Sequence, residues 1–179
     1  MEYRIDIIGQ NVMNNLSLKN WEVRSFEFNH NCDNGKATNE PETTVRITGT
    51  IFSDSNGIQD MFKNIIDNKN NFLNFSLSSL SNLSKLGTFA GNLYNSNRSN
   101  TLKLFNWSKH WGNNDYYRNL KVTVKLSESN IKKKNIKKMI CDFYQESFDM
   151  SGNGYFVLVL KQSKFSVENN KLEVNSFGL

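Results

Sequence analysis

Along this chain the clearest order is the alternation of apolar and polar positions. From Thr44 to Ile51, Val45, Ile47 and Ile51 fall on one side and Thr44, Arg46, Thr48 and Thr50 on the other, the period-two pattern of a half-buried strand. Leu120, Val122, Val124 and Leu126 alternate with Lys121, Thr123 and Lys125, which predicts a second strand with one apolar and one basic face. Tyr155 to Leu160 is apolar at every position, as suits a short strand covered on both faces. Weaker strand signals run through Tyr3 to Ile8, Trp21 to Phe28, Leu102 to Trp107, Met139 to Tyr144 and Lys171 to Val174.

One segment follows a different period. Ile58, Met61, Phe62, Ile65 and Ile66 take the spacing of a helix buried along one stripe, with Asn56 as N-cap and Gln59 at the reciprocal position three residues on. Leu77, Leu80, Leu83 and Leu86 recur every third residue, compatible with a second, weaker helix or with an ordered insertion loop. Many strands around one helix, without alternating strand and helix, point to a single mainly β domain over residues 1–179. The expected fold is an antiparallel β-barrel or sandwich with one short flanking α-helix and an insertion around residues 70–100.

Composition changes this picture little. Hydrophobic residues make up 37% of 179, with 13 Phe, six Tyr and three Trp, enough to build a core. Asparagine occurs 29 times, and polar runs such as Asn92 to Asn100 read as loops. The first fifteen residues mix Glu2, Arg4 and Asp6 with apolar positions, so a signal peptide and a membrane span are not expected, and the chain is expected to start life in a cytoplasm. Cys32 and Cys141 read as free thiols rather than a disulfide. A net charge of +5 permits contact with acidic partners without demanding it.

Catalysis is poorly supplied. The chain holds two histidines, His30 and His110, and no Gly-x-Ser-x-Gly elbow, His-Glu-x-x-His or phosphate-binding loop; no metal or cofactor is expected, and the chain reads as a non-enzyme. His30-x-Cys32-Asp33 would still need two further ligands to hold zinc, and Glu146 with Asp149 reads as a solvated hairpin. Ile131 to Lys138 packs five lysines into eight residues, read here as a lysine-rich turn between strands. It could meet a phosphate backbone, but it lacks arginine and stacking aromatics, so nucleic acid is not the expected partner. Trp107, Trp111, Tyr116 and Tyr117 form a candidate aromatic interface that could pack in a core, anchor a protein contact, or stack on a sugar or base.

Two stretches read together resemble the tube protein of type VI secretion systems, the hemolysin-coregulated protein family. The first is Val23 to Lys36, Val-Arg-Ser-Phe-Glu-Phe-Asn-His-Asn-Cys-Asp-Asn-Gly-Lys, followed by the strand at Val45 to Ile51. The second is Ile140 to Gly154, with its Tyr144-x-Glu146-x-Phe148-Asp149 element, running into Tyr155 to Lys164. The helix at Ile58 to Ile66 falls where that family carries its own. These pieces cover a little under half of the chain, and the segment around residues 70–100 and the lysine run depart from a minimal tube subunit.

The resemblance implies a tail-tube-like β-barrel that forms homo-oligomeric, hexameric rings stacked into the inner tube of a contractile injection apparatus. Sheath, baseplate or spike proteins would be partners, effector cargo could pass through, and the tube could itself be exported. It also implies that the loop from Asn31 to Pro41 contacts the next ring, with Asp33, Gly35 and Lys36 as candidates, and that Arg46, Lys121 and Lys125 face a lumen or a partner. Two alternatives stay open: a baseplate or hub adaptor of the same fold, and a carbohydrate- or nucleic-acid-binding β domain.

Overall fold

The computed structural model describes residues 2–31, 42–54, 57–58, 83–109, 115–127, 129–150, 154–162 and 173–178. They form a mainly β structure with one long helix. The strands are β1 (Glu2–Ile8), β2 (Leu16–Lys19), β3 (Val23–Asn31), β4 (Glu42–Ile51), β5 (Arg118–Ser127), β6 (Asn130–Phe148), β7 (Gly154–Gln162) and β8 (Glu173–Gly178); helix α1 (Leu83–Lys109) lies between β4 and β5. Seven strands make one antiparallel hydrogen-bonded path in the order β2-β1-β5-β6-β7-β4-β3, and β8 pairs with β6 beside it.

The 19-residue strand β6 organises this sheet. Its first half pairs with β5 on one side and with β8 on the other, Lys133 lying opposite both Thr123 and Asn175. Its second half pairs with β7, from Met139 opposite Gln162 to Phe148 opposite Gly154. Between the halves the ladder slips: Arg118 faces Met139 whereas Leu120 faces Ile136, so one extra residue is accommodated on β6. Lys138 absorbs the slip in a left-handed conformation, φ 54°, and its N–H donates to Asn119 Oδ1 at 3.1 Å. A bulge of this kind bends the strand and increases its twist.

All seven strands of the path feed one core. Ile5 and Ile7 (β1), Leu16 and Leu18 (β2), Val23 (β3), Val45 and Ile47 (β4), Leu120 and Val122 (β5), Ile136, Met139 and Cys141 (β6) and Phe156, Leu158 and Leu160 (β7) pack together with Leu104 and Trp107 of α1. The alternation expected for β4 and for the first half of β5 holds: Val45 and Ile47 are buried while Arg46 is exposed, and Leu120 and Val122 are buried while Lys121 is exposed, but Leu126 at the end of β5 is exposed. Within β7, Phe156, Leu158 and Leu160 are buried on one face, whereas on the other Val157 is buried, Val159 is half-buried and Tyr155 is exposed, so the cover on both faces that the apolar run implied is incomplete.

The helix departs from expectation. Leu102 to Trp107, read as a weak strand, and Asn92 to Asn100, read as a loop, both lie inside α1, which is 27 residues long rather than a short flanking element. The physical reason is the composition of its buried stripe, Ala90, Leu93, Asn97, Asn100, Thr101, Leu104 and Trp107. Its period is helical, but three members are polar, so a search for apolar spacing alone breaks at Asn97. The lysine run belongs to β6 rather than to a turn, and β2 carried no expectation. The helix expected over Ile58 to Ile66 lies outside the described residues except at Ile58, which is buried against Ala90 and Leu93. Residues 70–82 of the expected insertion also lie outside, as does the Asn56 cap.

Gly49 marks the tightest packing. A Cβ there would stand 2.1 Å from Phe156 Cζ and 2.7 Å from the Glu22 carbonyl oxygen, so the position has no room for one. Gly49→Ala is therefore expected to lower stability by about 2–3 kcal/mol through overpacking, read as a fall of about 4–12 °C in thermal midpoint.

Candidate interaction surfaces

Two buried polar clusters tie the helix and loops to the sheet and decide which surfaces stay exposed. The first centres on Glu22, 1% exposed, in the short link between β2 and β3. Its Oε1 accepts from Asn97 Nδ2 (3.2 Å) and Asn100 Nδ2 (3.0 Å), and its Oε2 accepts from the Lys19 N–H (3.1 Å). The same two amides reach outward, Asn97 Nδ2 to Thr50 O (2.9 Å) and Asn100 Nδ2 to Ser17 O (3.0 Å), while Asn97 Oδ1 accepts from the Phe52 N–H (3.0 Å). The Thr50 N–H donates to Glu22 O at 2.8 Å. One helix turn thus joins β2, the link and β4.

The second cluster holds the turn between β1 and β2. Arg118, 2% exposed, donates from Nη2 to Asp115 Oδ2 (2.7 Å) and from Nη1 to Asn14 O (3.3 Å), and its guanidinium lies 4.8 Å from the Trp107 ring centroid. Asp115 also accepts from Asn14 Nδ2 (2.8 Å) and the Asn11 N–H (3.3 Å). Burial alone would raise the Asp115 carboxyl, but these hydrogen bonds and the Arg118 charge outweigh it and hold the group below its ordinary value. A 3₁₀ turn over Val12–Asn14 is pinned in this way, and it presents Val12 and Met13 to solvent at 77% and 81% exposure.

The sequence candidates separate on this frame. Trp107 is a core residue, not an interface residue: it is 1% exposed, and its Nε1 donates to Tyr116 O at 2.9 Å. Tyr116 is half-buried and stacks edge-on with Tyr117, which is exposed; Trp111 lies outside the described residues. The aromatic patch is therefore smaller than the sequence suggested. Arg46 and Lys121 are exposed and Lys125 is half-buried, all on the sheet face away from the core. Each stands opposite an acid on a neighbouring strand: Arg46 opposite Glu27, Lys121 opposite Asp6 and Lys125 opposite Glu2. Cross-strand pairing of opposite charges neutralises much of the basic face expected there.

Asp33, Gly35 and Lys36 lie outside the described residues, as does Cys32. The strands that flank them pair, with Asn31 opposite Glu42. His30 Nδ1 lies 2.9 Å from Thr43 Oγ1, and among the described residues no three His, Cys, Asp or Glu side chains gather as a metal site. Among the same residues, no helix is long and apolar enough to cross a membrane.

Sequence reasoning missed Glu22, Asn97, Asn100, Asp115 and Arg118. Asn97 and Asn100 stand three apart on one helix face, a usable signal that the 29 asparagines of this chain conceal.

No protein-family model matches the chain, and no curated protein does. Its function has to be read from its own surfaces.

The most perturbed groups are held protonated rather than activated. Burial, reinforced by the Asp142 charge, pushes the Cys141 thiol up to about 12. Burial and the hydrogen bond from the Tyr144 hydroxyl to Glu146 Oε1 (2.6 Å) raise Tyr144. In a Cys32→Ser background, Cys141 is expected to react with a thiol reagent at neutral pH only once the protein is unfolded, a difference visible by timed labelling and mass measurement. Because the Asp115 carboxyl is depressed in the folded state, its contribution is present above the unfolded value of 3.8 and is lost as pH falls through the folded one. Asp115→Asn should therefore cost about 2 kcal/mol at pH 7, and urea titrations should show the gap from the unaltered protein closing below about pH 4.

Proposed function

We propose that this chain is a non-enzymatic structural subunit that self-assembles into stacked rings, hexameric by its resemblance to the type VI secretion tube family, as part of the inner tube of a contractile injection apparatus. The observation that carries this reading is β3, nine residues long and paired only with β4 among the described residues. A long strand with one side of its backbone unpaired is a template for strand addition by another chain. Heterologous contacts of that kind close into rings when the rotation between copies permits.

A barrel-like subunit fits the same reading. β2 and β3, the ends of the strand path, are consecutive in the chain, joined through Asn20, Trp21 and Glu22, and both feed the single core. Lys134 of β6 reaches across to the Phe28 ring of β3, 3.9 Å from its centroid, as a curled sheet requires. The hairpin between Asn31 and Glu42 would carry Asp33, Gly35 and Lys36 to the neighbouring ring.

Light scattering across a concentration series, with negative-stain images of the same sample, is expected to show rings or stacked tubes. Lysine at two exposed β3 positions, Glu27→Lys with Asn29→Lys, should shift the protein to monomer with its thermal midpoint within about 4 °C, because edge lysines oppose strand addition and the like-charge pair this makes with Arg46 costs no more than about 1 kcal/mol. A monomer of unaltered protein at every concentration would overturn the tube and favour an adaptor or ligand-binding role.

A further inference from the structure

Strand β6 is open along one side of its second half. Among the described residues β5 reaches no farther along it than Met139, opposite Arg118, so from Ile140 to Phe148 only β7 pairs with it. That ladder slips between Cys141 and Phe143 and then runs in unbroken register from Phe143 opposite Val159 to Phe148 opposite Gly154. A regular strand with one free side is a site for strand addition, and proteins commonly guard such edges with lysine or proline. Here the five lysines of β6 all lie between Lys132 and Lys138, where β5 pairs with the strand, and Met139 to Phe148 contains no lysine, arginine or proline.

The side chains along the open half alternate. Phe143, Gln145 and Ser147 fall on one face, and Tyr144, Glu146 and Phe148 on the face that meets α1. The Tyr144 hydroxyl lies 3.4 Å from Thr101 O and its ring centroid 6.4 Å from that of Phe105, which sets one flank of the helix beside this half of the strand. That flank is apolar and exposed at Leu102 and Phe105, as is the strand at Phe143 and Phe148. Amid them stands one charge that no base cancels among the described residues: Glu146 is exposed, and its carboxylate accepts from the neutral Tyr144 hydroxyl at 2.6 Å. Asp142, by contrast, pairs with Lys161.

We propose that Phe143 to Phe148 is a docking edge for an extended segment of another protein, with a basic residue at Glu146 and apolar residues two places to either side. The backbone edge selects a strand and fixes its period. The side chains it turns toward α1 then contact Tyr144 and Phe148 as well as Leu102 and Phe105. A second copy suits the edge less well. The chain's own unpaired strand, β3, brings Glu27, and its one arginine, Arg24, already donates to Thr50 Oγ1 and Gly154 O. This site is distinct from ring closure through β3 and does not depend on it.

The test follows the fluorescence anisotropy of a labelled Thr-Val-Thr-Lys-Thr-Val-Thr peptide titrated with the full chain. It should bind at least tenfold more tightly than the same peptide with glutamate in place of lysine, and N-methylation of its backbone should abolish binding. Glu146→Lys, with unchanged circular dichroism, should reverse the preference between the two peptides.

Equal affinity for the two peptides, or binding that survives N-methylation, would overturn the docking edge. So would a preference that Glu146→Lys leaves unaltered. If the unaltered, assembled protein binds neither peptide while the monomeric Glu27→Lys with Asn29→Lys variant binds the lysine peptide, the edge is occupied by a neighbouring copy and the foreign partner is overturned. No binding by either form would remove the edge as a site and leave the ring reading standing.

Discussion

A carboxylate taken out of water must be matched by donors, and Glu22 sets that demand where β2 passes into β3. An unmatched buried charge costs several kcal/mol, so the helix has little freedom in where it docks. Asn97 and Asn100 satisfy the carboxylate and at the same time bind Thr50 O of β4 and Ser17 O of β2. With that turn fixed, Leu104 and Trp107 fall into the core farther along the same face, and Trp107 lies beside the Arg118 guanidinium. One polar contact thereby determines the docking of α1 and, through Trp107 and Arg118, supports the clasp on the turn between β1 and β2.

A second constraint comes from the length of β6. One strand pairs with β5 and β8 along its first half and with β7 along its second, and the bulge at Lys138 lets it do so while both halves supply the same core. The extension carries five lysines in its first half and Asp142 and Glu146 in its second, where Asp142 pairs with Lys161 of β7 at 3.4 Å.

Burial raises the proton affinity of two groups that could otherwise act as nucleophiles. Activating a nucleophile means lowering its proton affinity or placing a base beside it, whereas Cys141 and Tyr144 are moved the other way by burial. Conspicuous exposure falls instead on structured turns and strand edges: Val12 and Met13 on a pinned turn, and Phe143 and Phe148 on the second half of β6. Apolar side chains displayed on a rigid backbone lose little conformational freedom on contact, a property suited to protein interfaces.

The sequence by itself determined the strands whose side chains alternate cleanly. Val45, Ile47, Leu120 and Val122 against Arg46 and Lys121 declare both the period and the buried face, and the apolar run through β7 marks the strand but overstates its cover, since Tyr155 is exposed. It also located the lysine run, though not its place within a strand. Only the tertiary structure decided that Asn92 to Trp107 is helical, that Trp107 is core, and that Arg46, Lys121 and Lys125 stand opposite acids. The reason is the range of the forces involved. Side-chain alternation is a local pattern, legible residue by residue, whereas a buried asparagine or a compensated lysine is defined by a partner on a different element, here as many as 78 positions away between Glu22 and Asn100.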